Sequence, residues 1–135
     1  MPRGTILITL VALAACGTSG ASDDGPLVQV GEASSQNGTY EVVMFAHMSN
    51  VTRGNHSMQL DVTSASDGSP AMGLTLAVVP WMPAMGHGAS IKPTVTELGD
   101  GAYQIDDVDL FMAGLWELRT TIEPTDYVAP SLQVR

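Results

Sequence analysis

A chain of 135 residues holds one domain plus a targeting segment. Its 14 carboxylates outnumber five Lys and Arg side chains, for a formal net charge of −9. That balance argues against nucleic acid as a partner, because phosphate backbones select basic surfaces, and against electrostatic docking on anionic lipid. The single cysteine leaves no disulfide, so the domain must stand on its core alone.

The first 15 residues read as a secretory signal. Arg3 is a short basic start, and Thr5 to Leu13 form an apolar run. That run is too short to span a bilayer, which takes roughly 20 apolar residues. Small residues then lead to "LAAC", Leu13 to Cys16. The tetrapeptide resembles a bacterial lipobox, which implies that the Cys16 thiol is acylated and the leader cut between Ala15 and Cys16. Gly17 follows the cysteine. In a bacterium with two membranes the resemblance then implies the outer membrane, facing the periplasm. With the leader gone, Arg53, Lys92, Arg119 and Arg135 are left against 14 carboxylates.

Gly17 to Pro26 is small, polar and rich in Gly and Ser, the composition of a flexible tether. Leu27 to Val30 is either a first short strand or more tether, and Gly31 to Gly38 is loop-like. The expected division is therefore a leader at 1–15, lipidated Cys16 and tether at 16–38, and a folded domain at 39–135.

From Thr39 onward the pattern is β. "TYEVVMFAHM" is rich in β-branched and aromatic residues. In "HSMQLDVT" Met58, Leu60 and Val62 share one face, and Ser57, Gln59 and Asp61 share the other. Ser66 to Pro70 is a turn, and Gly73 to Pro80 is an apolar strand ended by its proline. "KPTVTEL" is a strand, and Gly99 to Gly101 turns tightly into "AYQIDDVDL". "GLWELRTTI" alternates, with Trp116, Leu118 and Ile122 inward, and "SLQVR" closes the domain. No helical period and no internal repeat occur. The expectation is an all-β protein, an immunoglobulin-like antiparallel β-sandwich of about seven strands.

Several features carry a family resemblance. They are Tyr40-x-Val42, Gly54-Asn55, the turn Asp67 to Pro70, Met82-Pro83-x-Met85, Gly101-x-Tyr103 and Phe111-Met112-x-Gly114-x-Trp116-Glu117. Together they resemble the YtkA-like domain, which is related to the FixH family. The resemblance implies an extracytoplasmic, anchored β-sandwich. Through FixH it also implies an association with copper supply. FixH proteins carry a true membrane helix, which this chain replaces with its lipobox.

The stretch "WMPAMGHG", Trp81 to Gly88, concentrates the chemistry. Thioethers and imidazoles are soft or borderline donors that suit Cu(I), and outside the cytoplasm, where thiols oxidise, Met and His replace Cys as its ligands. A kink at Pro83 would turn Met82 and Met85 to one side. Gly86 and Gly88 would let His87 fold back, and Trp81 could cover a cation with its ring. His47 and Met48 are further candidate ligands, and His56 lies two residues before Met58. The bland reading is equally physical. Methionine is a flexible core filler, Met44, Met58 and Met72 sit at strand-like positions, and Met82 and Met85 could plug an open end of the sandwich.

The run Asp106, Asp107 and Asp109 lacks the glycine and closing glutamate of an EF-hand loop and reads as a solvated strand edge. No G-x-S-x-G, H-E-x-x-H or free cysteine nucleophile is present, so no enzyme is expected. Two functions compete: a lipid-anchored copper-binding or trafficking protein, and a metal-free envelope interaction or scaffold module of the same fold.

Overall fold

The computed structural model describes residues 25–135. The expected leader at 1–15 and the expected lipidation site Cys16 lie outside the described residues. Ten strands run in chain order: β1 (Val28–Ser34), β2 (Tyr40–Ala46), β3 (Gly54–Ser64), β4 (Leu76–Met82), β5 (His87–Gly88), β6 (Thr94–Gly99), β7 (Ala102–Leu110), β8 (Gly114–Ile122), β9 (Asp126–Val128) and β10 (Ser131–Val134). They form two antiparallel sheets. One has the order β1-β2-β3-β7-β6, and the other β10-β8-β4-β5, with β9 also on β8. The sheets pack face to face as a β-sandwich.

The alternation that predicts the strands also builds the core. Along β3, Met58, Leu60 and Val62 are buried, and along β8, Trp116, Leu118, Thr120 and Ile122 are buried. Successive side chains point to opposite faces, so one polar residue in every two leaves a continuous apolar face for the facing sheet. Met44 and Met58 belong to that core, at 0% and 1% exposure. Met72 does not. It lies in the connection after β3 and is 64% exposed.

Three boundaries differ from the sequence reading. The sheet begins at Val28 rather than at Thr39, because β1 pairs with β2 from Val28↔Ala46 to Ser34↔Glu41. The strand count rises from about seven to ten, partly because β5 and β9 are very short and because Ala129 and Pro130 interrupt the strand on β8's outer edge. Strand β4 runs through Pro80 to Met82 instead of stopping there. Pro80 is tolerated because its partner Leu118 directs its own N–H away from β4, to the Pro130 carbonyl. Positions 80 and 118 are thus a non-hydrogen-bonded pair, and the missing N–H costs no ladder bond.

The aspartate run is only partly an edge. Strand β7 lies between β3 and β6, but β6 covers it only as far as Asp106. Asp106 accepts hydrogen bonds from the Ser57 hydroxyl at 2.7 Å and the Gln104 amide at 2.9 Å. Asp107 takes a positive φ of 60° beside the register shift in β3 and β7.

The sandwich has two unlike ends. The β2–β3 connection (47–53), the β4–β5 hairpin turn (83–86) and the β7–β8 connection (111–113) lie at one, called here the hairpin end. The connections 35–39, 65–75, 100–101 and 123–125 lie at the other, the acidic end.

Candidate metal centre

The hairpin that holds Met82, Met85 and His87 is built by two turn bonds. The Met82 carbonyl accepts from Met85 N at 3.2 Å and from Gly86 N at 3.0 Å. Gly86 takes φ 65°, a left-handed conformation that glycine adopts without penalty and that returns the chain antiparallel to β4. Met82 and His87 then face each other as cross-strand partners, and Trp81 faces Gly88. Directly opposed residues in an antiparallel pair place their side chains on one face, with Cβ atoms about 4.5–5.5 Å apart. The hairpin therefore brings one thioether and the imidazole together.

The three donors differ in access. Met82 is 3% exposed and belongs to the core, with its Cε methyl over Gly114, where an added Cβ would meet it at 3.0 Å. Met85 sits in the turn and is 54% exposed. His87 is half-buried and stacks on Phe111, with ring centroids 5.7 Å apart and planes 16° from parallel. Phe111 in turn meets the buried Trp116 edge-on at 5.4 Å. Trp116 is fixed by donating its Nε1–H to the Met112 carbonyl at 2.9 Å. An aromatic column thus carries His87, and among the described residues its ring nitrogens have no hydrogen-bond partner.

The other two histidines are committed. His47 donates from Nδ1 to the Gly25 carbonyl at 2.7 Å. A carbonyl only accepts, so the proton sits on Nδ1 and Nε2 is left as the lone-pair nitrogen. His56 is 8% exposed and donates from Nε2 to the Thr52 carbonyl at 2.6 Å, which makes it a strut inside the β2–β3 connection. Met48 is packed against the core, and its sulfur accepts a weak bond from the Thr52 hydroxyl at 4.0 Å. His47 and Met48 share the hairpin end with Met82, Met85 and His87 but come from the opposite sheet.

Trp81 does not cover this group. It precedes Met82 in a strand, so it points to the other face of the sheet, and the Arg119 guanidinium lies over its ring at 4.6 Å. Arg119 is held there by Glu117, with Nε to Oε2 at 3.1 Å. The aromatic neighbour of the site is Phe111, which neither a metal motif nor the tryptophan signals. Its position at the turn into β8 is what brings it across to β5.

Among the described residues no three His, Cys, Asp or Glu side chains gather in a metal-binding group. Any metal held here needs the methionine sulfurs, which restricts the choice to soft ions.

The sequence profile of the YtkA-like family matches residues 32–121. The chain belongs to the YtkA-like family. The match takes in six of the strands whole, β2 to β7, and reaches from within β1 to Thr121 in β8. Comparisons with characterised proteins and with solved structures return no match. The YtkA-like region thus includes the whole hairpin, the aromatic column and the β2–β3 connection.

Proposed function

We propose that this YtkA-like chain is an extracytoplasmic, lipid-anchored protein that binds Cu(I) at the β4–β5 hairpin and buffers or passes on the ion. The observation that supports the reading is the cross-strand pair Met82 and His87 with Met85 in the turn between them. Two sulfurs and an imidazole whose nitrogens are uncommitted make a donor set for a soft ion. Met85 and His87 provide access from solvent, and Met82 supplies a sulfur from behind. His47, through Nε2, and Met48 are accessory candidates from the facing sheet. The lipobox-like Leu13 to Cys16 and the YtkA-like membership support an envelope location.

The test is titration of the protein with Cu(I) against a competing chelator. Replacing Met82, Met85 and His87 together with Leu, Leu and Phe should abolish tight binding and leave the fold intact. A wild-type protein that fails to compete for Cu(I) ends this reading.

One observation favours the second reading, a metal-free interaction module. Met82 is nearly as buried as the central core residues, so its packing alone accounts for its place in the sandwich. On that reading Met82→Leu leaves every property of the protein unchanged, whereas on the copper reading it weakens Cu(I) binding.

A further inference from the structure

The connections at the two ends differ in charge, while in the strands Asp109 pairs with Asn55 near the hairpin end. The connections of the acidic end carry Asp67, Asp100 and Glu123 and, among the described residues, no Lys or Arg. The connections of the hairpin end carry no Asp or Glu, and they hold Arg53, with Arg135 beside it through the bond from Arg53 N to the Arg135 carbonyl. Exposed apolar side chains stand at both ends: Met85, Phe111 and Leu27 at this one, and Met72 in the acidic end's connection 65–75.

The chain also enters the sandwich at this end. Gly25 is bonded to His47 in the β2–β3 connection, and β1 begins beside Ala46. Nine peptide steps separate Gly25 from Cys16. Fully stretched, they reach at most about 30 Å. Strand β3, at 11 residues, gives the sandwich a long axis of about 36 Å. An anchor at Cys16 therefore cannot place the acidic end on the bilayer, because the stretched tether is shorter than the domain. An acidic end is in any case repelled by an anionic leaflet.

We infer that the hairpin end faces and touches the bilayer surface, with Met85 and Phe111 entering the headgroup layer and Arg53 and Arg135 beside the lipid phosphates. The inference rests on the acyl anchor at Cys16 and is independent of metal binding. It makes the candidate copper donors membrane-proximal, within reach of a membrane-embedded protein and screened from a soluble one.

The test uses the full acylated protein in phosphatidylethanolamine–phosphatidylglycerol vesicles doped with a headgroup nitroxide lipid. Cys16 is consumed by the acyl chain, so a fluorophore is placed on Asn50→Cys at the hairpin end or on Asp67→Cys at the acidic end. The expected result is strong quenching at position 50 and none above background at position 67. In a Met85→Ser, Phe111→Ser background the quenching at 50 should fall severalfold. Equal quenching at the two positions, or stronger quenching at 67, overturns the orientation. Unchanged quenching in the serine background overturns the contact made by Met85 and Phe111. Mass spectrometry of the same sample separates these failures from that of the anchor, since a protein without an acyl mass on Cys16 overturns both.

Discussion

The two ends of the sandwich are finished in opposite ways. At the acidic end most polar groups are tied down, the buried Asp126 Oδ2 excepted. Asp67 accepts from the backbone N–H and the hydroxyl of Ser69 at 3.0 and 2.7 Å, which closes the turn after β3. The Tyr103 hydroxyl donates to the Ala71 carbonyl at 2.8 Å and accepts from Leu74 N at 3.1 Å, pinning the connection into β4. Asp126, only 7% exposed, accepts from the backbone N–H groups of Asn37 and Tyr127 at 3.0 and 2.8 Å and so joins the β1–β2 and β8–β9 connections. At the hairpin end two histidines are likewise used as struts, but the side chains of His87 and Met85 make no hydrogen bond among the described residues. The difference teaches where to look for function. Asp67, Tyr103 and Asp126 each spend a polar atom on holding a connection, whereas the His87 ring nitrogens hold none.

Substitutions can break that contrast or sharpen it. The largest effect is expected from Trp116→Ala, which empties a fully buried site and removes the base of the column under Phe111 and His87. A loss of about 3–5 kcal/mol in denaturant unfolding is expected. It would show that even the hairpin end depends on a rigid floor.

Next comes Asp126→Ala, which leaves two backbone N–H groups without their acceptor and should cost about 1–3 kcal/mol at neutral pH. This effect depends on pH. Burial by itself raises the Asp126 pKa, but the Asn37 N–H, the neighbouring Ser35 hydroxyl and the Tyr127 N–H outweigh it and hold the carboxyl below its ordinary value. A depressed pKa means stability that is present above the unfolded value, near 3.9, and lost as pH falls through the lower folded value. Wild type and Asp126→Ala should therefore converge in stability on acidification below about pH 4. Parallel curves in urea across that range would remove Asp126 from the account.

Tyr103→Phe should cost about 0.5–1.5 kcal/mol, because it unties Ala71 and Leu74 and keeps the ring in the core. Burial raises the Tyr103 pKa, with the Leu74 N–H opposing and the Glu97 charge adding to it. The hydroxyl thus stays protonated and able to donate at neutral pH.

The smallest stability effect belongs to His87→Ala. A half-buried ring with no hydrogen bond should change unfolding by no more than about 0.5 kcal/mol. The same change is expected to weaken Cu(I) binding clearly in the chelator competition. A large destabilisation without loss of metal would reverse the roles assigned to the two ends.

Much of the fold was legible because only one face of most strands is buried. Strands β3 and β8 alternate strictly, and every inward residue named from the pattern is in the core. Strand β1 was ambiguous because it is a sheet edge of half-exposed residues, with Gly31 and Glu32 where a buried strand would carry apolar ones. Pro80 ends a strand on local grounds, and only its pairing with Leu118 shows that the missing N–H is harmless there. The donor cluster was legible by type and only partly by placement. Reading Trp81 to Gly88 as a single loop hid the strand parity that sends Trp81 outward. The bonds of His47 and His56 go to backbone carbonyls of Gly25 and Thr52, and residue type carries no trace of them.

Gly88 gives the hairpin an unusual control point. It lies opposite Trp81, and a Cβ built there would come within 2.7 Å of the Pro80 carbonyl oxygen and 3.2 Å of the Trp81 ring. Any side chain would pry β5 off β4 and pull His87 out of register with Met82. The Met82–His87 pairing could then be undone in evolution, or by an engineer, at a position that contributes no donor atom, and a survey limited to the candidate ligands would never find the change.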